Sequence, residues 1–200
     1  MSFARDFGKA VRSTIVLWIL VCLIYPALML LMGQVIFPNQ ANGSLLKNAQ
    51  GQVIGSALIG QPFSSDRYFN SRPSTTSYST ANPQKDDAGV LKTGVSGASN
   101  LAPSNPALLD RIKTEVNRLK QAGIQPTADL VYTSGSSLDP HITPAAARTQ
   151  IARISAKRGV PPNQVERLIG QNTDGRILGI WGEPGVNVLK LNLALDAIGR

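Results

Sequence analysis

Twenty-five consecutive residues without a charged side chain, Ser13 to Phe37 (STIVLWILVCLIYPALMLLMGQVIF), limit what this chain can fold into. At about 1.5 Å rise per residue the run makes a helix roughly 37 Å long, enough to cross a hydrocarbon core of about 30 Å with some tilt. A core helix of a water-soluble domain carries a polar stripe, whereas this run is apolar all round. The chain therefore reads as a head (residues 1–12), a transmembrane helix (13–37) and one further domain (38–200). A cleaved signal peptide has an apolar core of only about 7 to 15 residues and a small-x-small cleavage site. Here the core is longer, and Phe37-Pro38-Asn39-Gln40-Ala41-Asn42 offers no such site, so the helix is expected to stay as an anchor. A pilin-like chain would carry a Glu a few residues into the run, and there is none.

Charge sets the expected orientation. The head holds Arg5, Lys9 and Arg12 against Asp6, and the first charge after the run is Lys47. Basic residues beside a span stay on the cytoplasmic side, which predicts a cytoplasmic N-terminus and an extracytoplasmic C-terminal domain. Trp18 sits about one turn inside the start, where an interfacial aromatic anchors a helix. Inside the span Pro26 removes a backbone donor and predicts a kink. Gly33 and Gln34 stand together near the outer end. A Gln in lipid seeks a partner helix, while one at the headgroups needs none, and the sequence leaves both open. Pro26, Gly33 and Gln34 are the candidate seam of the helix.

Setting aside the head's three basic and one acidic residue leaves 17 basic against 11 acidic, a net of about +6 on the rest. Outside the cytoplasm such a balance suits headgroups or an acidic protein partner rather than nucleic acid. The single cysteine, Cys22, lies in the span, so no internal disulfide can form. The single histidine, His141, rules out a multi-histidine metal site.

The domain reads as small α+β. Residues 44–47 and 52–59 predict two short strands around a Gly-containing loop. Ser64 to Asn105 is rich in Ser, Thr, Gly, Pro and Asn but embeds Tyr68, Phe69 and Tyr78, which points to an ordered irregular loop lying on a partner. Asn105-Pro106 opens a helix through Leu108, Leu109, Ile112, Val116 and Leu119 that stops at Gly123. Leu130-Val131-Tyr132 reads as a strand. Thr143-Pro144 caps a helix running to Gly159, and Pro161-Pro162 opens a shorter one ending near Asn172. Residues 176–181 read as a strand, and 187–198 as a helix with Asn187 as cap, although Leu189, Leu191, Leu193 and Leu195 also alternate like a strand.

Three catalytic patterns are incomplete. Ser44-x-x-Lys47 with Lys92-Thr93-Gly94 resembles the elements of penicillin-recognising enzymes, but no Ser stands two residues before an Asn, and the spacing is too short for the intervening domain. Ser136, Asp139 and His141 are the residue types of a hydrolase triad, yet three members within six residues of one loop cannot easily align as Ser–His–Asp. Leu91-Lys92-Thr93-Gly94 has Leu where a phosphorylated transport ATPase has its acceptor Asp, and no phosphate-binding Gly-rich loop occurs. An anchored envelope hydrolase using Ser136/Asp139/His141 or Ser44/Lys47 stays as the alternative to a non-enzymatic role.

Several blocks in one order carry a resemblance. They are Tyr25-Pro26; Phe37-Pro38-x-Gln40-Ala41-Asn42-Gly43-Ser44-Leu45; Gly55-Ser56-x-Leu58-Ile59-Gly60-Gln61-x-Phe63; and Tyr68-Phe69-x-x-Arg72-Pro73-Ser74. Further on come Ser96-Gly97-x-Ser99-Asn100-Leu101-x-Pro103-Ser104-Asn105-Pro106, Asp129-Leu130-Val131, Ser134-Gly135-Ser136-x-Leu138-Asp139-Pro140-His141-Ile142, and Gly182-Glu183-Pro184 before Val186-Asn187-Val188. From the anchor to the C-terminus the chain resembles the KdpC family, the C subunit of the bacterial Kdp potassium-transporting ATPase. The resemblance implies a non-catalytic subunit in the bacterial inner membrane. Its implied partners are a channel-like potassium-binding subunit and a P-type ATPase subunit, besides the lipid bilayer. It implies support of assembly and a catalytic-chaperone role that raises ATP affinity, with ATP and potassium reached through the complex and no cofactor held by this chain.

The expected topology puts nearly all of the chain opposite the side where ATP is hydrolysed, leaving only Arg5, Lys9 and Arg12 of the head near nucleotide. Against the family pattern, Gly185 stands where Arg usually follows Glu-Pro, Thr75 where Ala usually follows Arg-Pro-Ser, and Ser137 where Gly is common. The candidate partner-contact residues are Gln61, Tyr68, Arg72, Asp139 and His141.

Overall fold

A computed structural model of the chain describes residues 3–76, 78 and 96–198. The Lys92-Thr93-Gly94 element and Leu91 lie outside these residues. The chain forms two compact units, Met1–Leu45 and Leu46–Arg200.

The first unit is one long helix, α1, Phe3–Ile36, of 34 residues, followed by a single turn, α2, Pro38–Ala41. The charged head is thus helical and continuous with the apolar run. No side chain of α1 is buried within the chain, so its apolar surface requires lipid or another helix. Pro26 does not simply break the ladder. The residues just before it, Leu20–Ile24, open into a π turn in which Tyr25 N–H donates to Leu20 O. Such a bulge absorbs the donor that proline lacks. Gln34 finds a partner in its own chain, since Asn42 Nδ2 donates to its Oε1 at 3.2 Å. Pro26, Met29, Gly33 and Gln34 line one shallow groove along α1, closed at its end by Ala41.

The second unit is mixed α and β. Strands β1, Leu45–Lys47, and β2, Val53–Ser56, pair as a hairpin. Its Asn48 carboxamide accepts from the N–H groups of Gln50 and Gln52, the local bonding that favours Asn in turns. Helix α3, Pro106–Gln121, starts as expected, with Asn105 Oδ1 accepting from Ala107 N at 3.0 Å. Residues 130–132 are not a strand. Leu130 and Val131 belong to a single helical turn, α4, Ala128–Val131, and both are buried. A surface strand would send these neighbours to opposite faces, whereas a turn entering the core buries both.

The helix expected from Thr143 to Gly159 is two: α5, Pro144–Arg148, and α6, Ile151–Arg158. Thr149 Oγ1 donates back to Ala146 O, and Gln150 turns inward at the break. Helix α7, Pro162–Gln171, leads into a three-stranded antiparallel sheet. Its strands are β3, His141–Ile142, β4, Thr173–Asp174, and β5, Gly185–Asn187, in the order β3-β5-β4. Residues 176–181 are not a strand of that sheet but a tight turn closed by an Ile177–Trp181 bridge. The tail is helical, α8, Val188–Ile198, with Asn187 Oδ1 accepting from Lys190 N at 3.1 Å.

The core gathers Leu119, Ile124, Leu130, Ile154, Val165, Ile169, Val186, Leu191 and Leu195. Phe69, from the Ser/Thr/Pro-rich stretch, is fully buried among them. The described part of that stretch is thus ordered and irregular, as expected, and it packs through Phe69 on its own domain. Backbone polar groups without a strand partner need side chains, and buried amides supply them here. Asn192 accepts from Phe69 N at 2.8 Å and donates to Phe69 O at 3.1 Å. Gln150 accepts from Asn70 N at 2.8 Å and donates to Asn70 O at 3.3 Å. Arg153 donates to Asp66 O and Tyr68 O, and Arg158 to Arg67 O.

Candidate functional site

Three of the five residues singled out in the sequence meet on one patch. Asp139 folds back to accept from His141 N at 2.9 Å, as Asx residues do in tight loops. Its other oxygen takes an ion pair from Arg72 Nη1 at 3.1 Å, which ties the irregular segment to the β3 loop. The His141 ring lies between two carboxylates: Nε2 is 3.2 Å from Asp174 Oδ2, and Nδ1 is 3.6 Å from Asp139 Oδ1. Asp174 was not evident in the sequence. It reaches His141 because β3 and β4 flank β5, where Gly185 opposes Asp174. A Cβ on Gly185 would stand 3.2 Å from His141 Cβ. The missing side chain leaves the central strand bare, so the imidazole can cross it.

Burial closes the patch from beneath. Tyr78, 4% exposed, donates its hydroxyl to Arg72 O at 2.5 Å. Gly60 packs so tightly there that an added Cβ would meet the Tyr78 ring at 2.5 Å and Asp139 O at 2.7 Å. No side chain fits at that position. Gly60 N–H also donates to Leu138 O, holding the two loops together.

The ionisation states follow from this packing. Burial pushes the Tyr78 phenol up to about 12, helped by the Asp139 charge and opposed by Arg72. Desolvation acts to raise Asp139. Hydrogen bonds from the His141 side chain and backbone, with the Arg72 charge, outweigh it and hold the carboxyl below its usual range. Asp139 raises the His141 pKa above its ordinary value, burial opposes this, and Asp174 adds to the rise. The patch alternates Arg72, Asp139, His141 and Asp174, with each carboxylate beside a basic side chain.

The sequence departures gather at the same place. Ser137, buried with φ +60°, accepts from Thr75 N at 3.0 Å, and its Oγ lies 2.5 Å from Thr75 Oγ1. It also donates to Gly97 O. Thus Thr75 and Ser137, each atypical, bond each other, while the third, Gly185, abuts His141. Gln61 and Tyr68 lie outside this network. Gln61 Nε2 donates to Ile54 O of β2, fixing the hairpin. Tyr68 donates to Asp196 at 3.0 Å beneath the Arg158 guanidinium, whose carbon stands 4.7 Å from its ring centroid. Arg158, Asp196, Asn192 and Gln150 carry no sequence signal beyond residue type, because their partners in other elements lie 37 to 128 positions away.

Among the described residues, Ser136, Asp139 and His141 do not line up as a hydrolytic triad. The Ser136 hydroxyl pairs with Ser134 Oγ and Leu138 N, and His141 is held by carboxylates on both sides. Among the described residues no group of His, Cys, Asp and Glu could hold a metal ion. A helix long and apolar enough to cross a membrane, joined to a small mixed domain that carries an ion-pair patch, defines the class: a single-helix chain with one appended α+β domain.

Comparison with known proteins gives the particular family. Residues 7–197 match the family model described as KdpC, the K+-transporting ATPase c chain. The chain is 69% identical over 199 residues to the potassium-transporting ATPase KdpC subunit 1 of a Nostoc species, covering 99% of this chain and 98% of the relative. It is 66% identical to the KdpC subunit of Microcystis aeruginosa, covering 100% and 99%, and 58% identical to that of a Synechocystis species, covering 96% and 98%. The chain belongs to the KdpC family, and is an accessory rather than a catalytic subunit of a K+-transporting ATPase.

Proposed function

We propose that this chain is the non-catalytic subunit of a high-affinity, ATP-driven potassium uptake complex. In this reading it supports assembly and raises the ATP affinity of the P-type ATPase subunit. A channel-like potassium-binding subunit is its other partner. The complex, not this chain, holds ATP and potassium. The chain crosses the bacterial inner membrane once, with the N-terminus cytoplasmic and the domain outside, as the basic head favours.

The observation that carries the reading is the Arg72–Asp139–His141–Asp174 network: charged, partly exposed, fixed by a buried tyrosine and without catalytic geometry. Such a preorganised patch suits docking, since its side chains are ordered before a partner arrives. From outside the membrane an effect on ATP affinity acts as a coupling free energy. A typical coupling of about 1–3 kcal/mol changes affinity by roughly 5- to 150-fold. Anchor and patch bias the partner toward its nucleotide-competent conformation, and neither touches ATP.

The test is purification of the tagged full chain from membranes. A large multi-spanning protein and a P-type ATPase should accompany it, and Arg72→Ala should raise the KM for ATP of the purified complex. Isolation of the intact chain without either partner would refute the reading.

A further inference from the structure

Beyond the patch, the turn between β4 and β5 violates two rules of water-soluble surfaces at once. Ile177, Leu178, Ile180 and Trp181 are 71%, 86%, 69% and 66% exposed, four large apolar side chains within five positions. The turn is internally complete. Ile177 and Trp181 exchange N–H···O bonds at 2.8 and 3.0 Å, and Ile180 N donates to Ile177 O at 3.1 Å. Its two central residues are both left-handed, Leu178 at φ +54° and Gly179 at φ +75°. A type I′ turn requires this and strongly prefers Asn or Asp at the first position. Leu there is strained, and it is also the most exposed of the domain's described large apolar residues. Asn would serve the fold in water better. A residue that costs stability in both ways points to a contact outside the chain.

We propose that this finger, Ile177–Trp181, inserts into the headgroup–acyl boundary of the bilayer. Three observations favour lipid. The chain carries a helix long and apolar enough to span a membrane, and eight residues, 38–45, separate its apolar run from the second unit. Even fully extended, that tether reaches only about 30 Å. The apolar residues occupy nearly every position of the finger rather than one face, which suits a medium that is apolar on all sides. The set is Trp with aliphatics and a cation, Arg176, at the base. That is the composition of an interfacial anchor, with the aromatic at headgroup level and the guanidinium on phosphate. Arg176 is only loosely held, 3.5 Å from the largely exposed Glu183, and remains available to phosphate.

Trp181 is one of two tryptophans, so a Trp18→Phe chain reports on the finger alone. The experiment reconstitutes this full-length variant in vesicles of equal phosphatidylcholine and phosphatidylglycerol, with the phosphatidylcholine brominated near the headgroup end of its acyl chains. Bound finger predicts strong loss of Trp181 emission and protection from acrylamide. Adding Leu178→Asn and Ile180→Ser, which leave the turn's backbone bonds intact, should more than halve that quenching. Emission insensitive to bromolipid but open to acrylamide would overturn the proposal, as would quenching unchanged by the two substitutions. In the assembled complex, protection from acrylamide without bromolipid quenching would show a protein occupant and also overturn it.

Discussion

Replacing Asn192 by Leu keeps the side-chain volume nearly constant while removing both bonds to the Phe69 backbone. Asn192 is 2% exposed and Phe69 fully buried, so water cannot substitute for the lost partners. A buried backbone donor or acceptor left unpaired costs about 1–3 kcal/mol, which makes the expected loss roughly 2–6 kcal/mol for the two groups. In a unit of about 150 residues each kcal/mol shifts the melting point by about 2–4 °C, so a fall of roughly 10 °C is expected. The assay is thermal unfolding of the full chain in detergent, followed by far-ultraviolet circular dichroism. Asn105→Ala is the internal scale. It removes only the exposed cap of α3, worth about 1 kcal/mol, and should shift the midpoint by about 2–4 °C. If Asn192→Leu shifted it no more than Asn105→Ala, the irregular segment would not be the integral core element inferred from Phe69.

The ion-pair patch makes stability depend on pH in two directions. His141 has a raised pKa in the folded state, so its contribution is full below about pH 6.5 and is lost as pH rises through the folded value. Asp139 is depressed, so its contribution is present above about pH 3.9 and is lost as pH falls through the folded value. Urea titrations should therefore place the patch's greatest effect between about pH 4 and 6.5, and His141→Gln should flatten the alkaline limb. Gly185→Arg should force the imidazole off Asp174, weakening that limb by no more than about 1–3 kcal/mol overall, with no loss of fold. Gly33→Leu, or a poly-Leu span in place of Ser13–Phe37, should leave the chain in the membrane yet lose co-purification with its partners. The first fills the groove beside Pro26, Met29 and Gln34. Retained assembly in both would make the helix a simple tether.

What was legible in the sequence was what local chemistry decides. The anchor declared itself by hydropathy and α3 by Asn105-Pro106, while residues 187–198 fitted helix or strand until Asn187 was seen to cap α8. Arg72, Asp139 and His141 were found through residue type and family blocks, and the fold brings them together. The two strand misreadings share one cause. Leu130-Val131 and Ile177-Leu178-Gly179-Ile180-Trp181 are apolar runs too short for periodicity to separate strand from turn. Phe69 signals order within a polar stretch, but its place in the core is not legible there, because its partner Asn192 lies 123 positions away. Asp174 was invisible because its meeting with His141 depends on strand order and on an absent side chain at position 185.

Which side of the membrane the chain acts from is the central question, and it turns on the head. Deleting Ser2 to Arg12 removes every charged residue before the apolar run and leaves the span itself intact. On the proposed function, in which the anchor and an extracytoplasmic domain carry the coupling, the KM for ATP of the purified complex should then match that of the undeleted complex. An intact complex whose ATP affinity fell to that of the ATPase lacking this chain would contradict action from outside.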